Sequence, residues 1–228
     1  MNRFLRQTWA MVRKDLRREI RTGEVIITTV AFSVLLTVIF AFAFFHDDQT
    51  VGIVFPGILW VAVVFGGMLV VSRTFDQETE TGCLRALALV PGSAQSVYAA
   101  KLLVNLTFMA IFEAVLLPLC ALAFGVSILP TLGTHIAVLA AGTLGFTALG
   151  TLTSAMLVED RLRQVLLPIV LYPLAVPLLI AGVKATGAMV GTEASGSPWA
   201  WVRVMLAMDV VFVLAGSYLF GWVFEAVE

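Results

Sequence analysis

Apolar residues run along this chain in six long blocks, separated by short polar stretches that hold most of its charge. A bilayer core about 30 Å thick takes about 20 apolar residues as helix, because each backbone N–H and C=O must find its partner within the segment. Six spans are predicted on that basis, at residues 25–45, 52–71, 102–124, 134–158, 165–183 and 204–224. Ala41-Phe42-Ala43 has the form of a signal-peptidase site, but the apolar run before it is too long and starts too late, so the first block reads as a retained anchor. The expected fold is an all-α polytopic membrane protein, one transmembrane domain over residues 1–228.

Before the first span, Leu5, Trp9, Val12, Leu16 and Ile20 recur at three- and four-residue steps, while Arg6, Arg13, Lys14, Arg17 and Arg21 fill the remaining arc. That pattern predicts a basic amphipathic helix over residues 1–23, lying in the headgroup region and held by apolar burial and anionic lipid. Between the second and third spans, residues 72–101 open with Arg73-Thr74-Phe75-Asp76-Gln77-Glu78 and break at Gly82. They continue through Leu84, Leu87 and Leu89 to Pro91-Gly92. This reads as a short surface helix, then a Pro-Gly turn with Ser93 capping the helix that carries Tyr98 and Lys101 into the third span; an ordinary solvated connector fits the residue pattern equally.

Composition sharpens the picture. Of 228 residues 60% are hydrophobic and 13% charged, with a mean hydropathy of +1.00; a soluble chain is about half apolar and a quarter charged. The net charge of −1 and the confinement of basic residues to short stretches exclude a nucleic-acid-binding protein. All Lys and Arg except Lys184 and Arg203 fall before the first span or in the second and fourth loops. The positive-inside rule then places both termini in the cytoplasm.

The fifth span carries Pro168, Pro173 and Pro177. Each removes a backbone donor and crowds the preceding turn, which predicts a bent or interrupted helix facing other protein, either as a structural kink or as part of a transport path. Trp199 and Trp201 in the loop at residues 184–203 suit an outer headgroup belt. Ala141, Gly145 and Ala148 share one face of the fourth span and permit close backbone approach.

Candidate chemistry is sparse. Glu113 and Asp209 are the acids inside apolar runs, and an intramembrane carboxyl is costly enough to be a functional candidate, though a hydrogen-bonded structural role is the alternative. Asp209 lies near enough to the outer end of its span to reach the interface. His46 and His135 sit near predicted outer ends, where a metal or haem iron could be met, and read as plain interfacial residues. Cys83 and Cys120 fall on unlike segments and are not expected to pair. No metal motif or phosphate-binding glycine loop is present, so any ATP must be handled by a partner.

Phe55-Pro56-Gly57-Ile58-Leu59-Trp60-Val61-Ala62, the Arg73-x-Phe75 that opens the second loop, Gly82-x-Leu84-x-x-Leu87, Lys101 and Leu171-Tyr172-Pro173-Leu174-Ala175-Val176-Pro177-Leu178-Leu179-Ile180 occur in this order. Together they resemble the haem exporter protein B family, the permease subunits of cytochrome c maturation ABC complexes. The resemblance implies a type 2 ABC permease fold, a second permease copy, two ABC ATPase subunits, a haem-handling membrane subunit and a small single-span subunit. It implies no catalysis by this chain and no directly bound cofactor, with haem as candidate substrate and ATP on the partner. By the same resemblance Arg73, Phe75, Asp76, Glu78, Gly82 and Leu84 would form the coupling element that docks into the ATPase, with Phe75 and Leu84 supplying burial and the acids setting register. The chain departs from the family pattern at Ser72 and Arg85, where acidic residues are common, which bears on the charge details of docking. Export of a lipid, polysaccharide or drug, and a non-transporting scaffold for release of a haem-loaded chaperone, are the rival readings.

Overall fold

The computed structural model describes residues 2–44, 48–82, 93–158, 160, 162–191 and 196–225. Among these the secondary structure is helical: α1 (Asn2–Thr22), α2 (Glu24–Ala43), α3 (Asp48–Ser72), α4 (Asp76–Thr81), α5 (Ser93–Ala123), a 3-10 turn (Leu129–Thr131), α6 (Leu132–Met156), α7 (Arg163–Val190) and α8 (Pro198–Glu225). Six of them are long and apolar enough to span a membrane, namely α2, α3, α5, α6, α7 and α8. The shortest, α2, has 20 residues, which at 1.5 Å rise gives about 30 Å.

At the centre stands α6, most of it buried, whereas α2 and α8 are largely exposed. It packs on α3, α5, α7 and α8. Small residues bring it close to its neighbours. Gly142 on α6 and Gly182 on α7 lie against the indole of Trp60 on α3, and a Cβ at either position would collide with the ring. Trp60 is 2% exposed and its Nε1 donates to Thr186 Oγ1 at 3.0 Å, so the indole is both packed and polar-satisfied. On the expected face, Ala141 and Ala148 are buried, and Gly145 meets Asp209 and Leu178.

Helix α1 packs against the start of α5 with a face that takes in Val12 and Leu16 of the expected apolar strip and continues into polar positions. Val12 is buried with Ala100 and Val104, and beside it the polar Thr8 and Glu19 are also buried. Thr8 Oγ1 donates to Ser96 O at 3.4 Å, and Glu19 Oε1 accepts from the Ile26 N–H in the first turn of α2 at 2.9 Å. Leu5, Trp9 and Ile20 stay exposed. The helix thus has three faces: a packing strip, an apolar strip open to a bilayer surface, and a basic strip. Gly23, at φ 65°, turns the chain into α2, a conformation that suits glycine.

Two expectations are corrected, that the prolines interrupt the fifth span and that residues 184–203 form a loop. Helix α7 runs uninterrupted from Arg163 to Val190 through Pro168, Pro173 and Pro177. One side of it packs within the chain: Leu167, Leu171, Ala175 and Leu178 are buried at helical spacing, while Pro173 and Pro177 lie on the exposed face. A proline ring turned away from the bundle crowds its own preceding turn without disturbing the packed side. The loop expected at 184–203 is largely helix, since α7 continues to Val190 and α8 starts at Pro198, placing Trp199, Trp201 and Arg203 within α8. Proline is well suited to a first helical position, where its missing N–H would have had no partner.

Candidate functional site

The polar stretch after α3 folds back on the bundle. Arg73, Thr74 and Asp76 donate backbone N–H groups to Val70, Val71 and Arg73 carbonyls in a tight turn, from which α4 starts with Asp76 and Glu78 in its first turn, where the helix dipole favours acids. Gly82, at φ 65°, ends α4 by returning its N–H to Thr79 O at 3.3 Å. A left-handed residue is a standard helix stop, and glycine accepts it without strain.

The inner side of this short helix is locked. Phe75 is 1% exposed and stacks on Phe220 with ring centroids 6.2 Å apart; Tyr98 lies 5.4 Å from Phe220 and donates to Ala148 O at 3.3 Å. Glu78 is 2% exposed. Its Oε2 accepts from Lys101 Nζ at 2.9 Å and its Oε1 from Lys14 Nζ at 2.7 Å. Lys101 also donates to Asp15 Oδ2 at 2.9 Å and sits 5.5 Å above the Phe75 ring. Two cations and two carboxylates therefore balance in one cluster joining α1, α4 and α5. Burial alone pushes the Glu78 carboxyl up, but the Lys101 charge and the hydrogen bonds from both lysines outweigh it, leaving Glu78 below its ordinary 4.5. Burial lowers Lys14, and the Glu78 hydrogen bond with the Asp15 charge reverses this and holds it above 10.5.

Two further ties reach the membrane helices. Arg163, at the start of α7, donates through Nη1 to Asp76 Oδ1 at 3.2 Å and through Nη2 to Ser72 O at 2.7 Å and Ser154 Oγ at 3.0 Å. Asn105 Nδ2 donates to Thr74 Oγ1 at 3.1 Å and Thr151 Oγ1 at 2.9 Å. Arg73 is half-exposed and lies 3.8 Å from Glu24. On the outward side of α4, Asp76, Thr79 and Thr81 are exposed. The arrangement is a small surface lever with one face open and the other bolted to α1, α5, α6, α7 and, through Phe220, α8.

The structure brings Arg73, Phe75, Asp76, Glu78 and Gly82 together, while Leu84, Cys83, Arg85 and His46 lie outside the described residues. The expectation that Phe75 is a docking side chain needs correction, because its ring is already buried in its own chain. The same holds for Glu78, whose oxygens are taken by Lys14 and Lys101. Pattern reading missed those two lysines' partner Asp15, together with Asn105 and Arg163. One signal was present: Asp15 and Glu19 are acids four residues apart within an otherwise basic helix.

Deeper in the bundle, Glu113 accepts a short hydrogen bond from Thr143 Oγ1, and Asp209 is 2% exposed with neither oxygen hydrogen-bonded. Asp209 does not reach the surface of the bundle: its carboxyl is buried against Gly145 of α6. Thr143 and Gly145 point about 200° apart around α6, so the two acids approach that helix from different sides and form no pair. His135, on the first turn of α6, is buried and sits at the end remote from α4.

A sequence model of the CcmB protein family matches residues 6–225, from the first turns of α1 to the end of α8. The chain belongs to the CcmB family. Among curated CcmB-type relatives, the heme exporter protein B of Bradyrhizobium diazoefficiens is 27% identical over 92% of this chain and 93% of its own length. That of Paracoccus denitrificans is 29% identical over 90% of this chain and 92% of its own. That of Pseudomonas aeruginosa is 24% identical over 87% and 88%. As a CcmB-family member the chain is a multi-pass, all-helical membrane protein, and α4 and most of α1 lie within the matched region.

Proposed function

We propose that this chain is the permease subunit of an ABC complex that serves cytochrome c maturation by delivering haem, with α1 and α4 on the cytoplasmic side. The observation that carries this reading is the two-sidedness of α4. Its inner face is fixed to five helices, and its outer face offers Thr79, Thr81 and the half-exposed Asp76, one oxygen of which Arg163 holds, at the basic end of the bundle. A partner ATPase gripping that face would move a rigid unit, because Glu78 and Phe75 cannot shift without Lys101, Asp15 and Phe220. Asp76 then sets register at the contact and Leu84 adds apolar burial, while Phe75 and Glu78 position the lever rather than touch the partner. The relatives' names, heme exporter protein B, support haem as the cargo. ATP hydrolysis belongs to the partner, and release of a haem-loaded chaperone outside is the outcome of the cycle.

The test is co-purification. Thr79→Trp combined with Thr81→Lys changes charge and shape on the exposed face and leaves both the buried cluster and the Arg163–Asp76 contact alone, so it should abolish recovery of the ATPase with a normally folded permease; undiminished recovery contradicts the docking assignment. Leu84→Asp should act in the same direction.

A further inference from the structure

The first residue of α7 ties that helix to three others. Just before it, the Asp160 carboxylate accepts the Leu162 N–H at 2.7 Å, and the chain turns into α7 at Arg163. The Arg163 side chain is 11% exposed. Its Nη1 donates to Asp76 Oδ1 in the first turn of α4, and its Nη2 donates both to Ser72 O at the end of α3 and to Ser154 Oγ on α6. The Ser72 carbonyl stands at a helix C-terminus, where no further helical N–H follows, and a cation there is favoured by the dipole as well as by the hydrogen bond. Ser154 Oγ in turn donates to Val71 O at 3.2 Å, so the contact runs from α7 through α6 back into α3. Among the described residues, the hydrogen bond that joins α4 to α7 is the one from Arg163 to Asp76. The Lys101 cluster leads instead to α1 and α5, and Phe75 leads to α8.

Beyond that anchor α7 has a weakened backbone ladder. Pro168, Pro173 and Pro177 lie inside it, against one proline each inside α3 and α5. Each lacks the N–H that would bond the carbonyl four residues back, which leaves the carbonyls of Gln164, Ile169 and Pro173 without their helical donors. The helix is continuous, yet prolines are where helices bend, and the first freed carbonyl belongs to the residue next to Arg163. A displacement of α4 thus enters α7 in its first turn, beside the place where that helix yields. We infer that Arg163 is the positioning residue that carries movement of α4 into α6 and α7, bending α7 at Pro168. Without it the permease still holds its ATPase, because the Lys101 cluster keeps α4 seated, but the movement stops at the surface. Lysine does not replace it, since one ammonium lacks the planar fork that serves three separate acceptors. The inference rests on the coupling reading of α4 and deepens it by naming the route from that helix into the spans.

The full-length permease assembled with its ATPase in nanodiscs, with and without ATP and vanadate, tests this by hydrogen–deuterium exchange. In wild type, trapping the nucleotide state should change exchange both in α4 and in residues 163–171. Arg163→Gln should recover the ATPase as wild type does and keep the α4 response, while the response at residues 163–171 is lost. Arg163→Lys should keep the α4 response and restore at most part of that in α7. Ser154→Ala removes one of the three acceptors and should reduce the α7 response with recovery unchanged; it decides the matter if both Arg163 variants fail to fold. A merely structural arginine lowers stability and leaves the two responses in step. A wild type with no α7 response, an Arg163→Gln response in α7 equal to wild type, or loss of both responses together in a complex of normal recovery overturns the inference. Recovery of the ATPase with Thr79→Trp/Thr81→Lys bears on the docking assignment, and that reading stands or falls separately from the result at Arg163.

Discussion

Lys101 and Glu78 meet at 2.9 Å with 7% and 3% of their side chains exposed, so the surface helix α4 is joined to the start of a membrane span by an ion pair almost withdrawn from water. Asp15 and Lys14 complete the cluster. A paired arrangement of this kind is tolerated because each charge is answered, and it becomes a liability when one member is removed.

Lys101→Met should therefore destabilise the folded chain by about 3–5 kcal/mol, because Glu78 and Asp15 are left buried together without their shared cation. The double variant Lys101→Met/Glu78→Gln should recover part of that loss. Thermal unfolding of the purified variants in detergent gives the coupling energy directly; additive losses would show that the two residues act independently.

The same cluster sets a pH dependence. Glu78 is held below its ordinary 4.5 in the folded chain, so its contribution is complete above that value and is lost as pH falls through the lower folded-state value. Lys14, raised above 10.5, contributes fully below 10.5 and loses its contribution only as pH rises through its folded-state value. Melting measured from about pH 3 to 7 should fall at the acid end in wild type, and Glu78→Gln should flatten that limb while lowering stability at neutral pH.

Trp60 is the pivot of the central packing. Trp60→Phe should cost about 1 kcal/mol for the lost hydrogen bond to Thr186, plus a packing loss. Gly142→Ala and Gly182→Ala should each cost about 1–3 kcal/mol or more by overpacking the indole. Combining Gly142→Ala with Trp60→Leu should be less harmful than the sum, measured again by melting temperature.

The spans were legible because hydrocarbon demands long apolar helices, and the six blocks left little choice of fold. Their ends were less so. Pro198 opens α8 six residues before the apolar run, since a helix start is set by capping geometry, while hydropathy marks only the part that needs lipid. The prolines of α7 suggested a bent or interrupted helix; it is continuous, and one-dimensional pattern carried no sign that Pro173 and Pro177 would fall on the face away from the bundle. Phe75 and Glu78 were found as members of the surface element but assigned outward, because the partners that bury them, Phe220, Lys14 and Asp15, are distant in sequence. A short polar helix beside a bilayer has two faces, and only the contacts tell which one is committed.

The claim that α4 is a lever for a cytoplasmic ATPase is tested most directly by photo-crosslinking from Thr79. With a photoreactive residue there and another at the exposed Ile136, at the remote end of the bundle, complexes in native membranes should yield an ATPase adduct from position 79 whose intensity changes with bound nucleotide, and none from 136. An adduct from 136, or silence at 79 in an assembled complex, contradicts it.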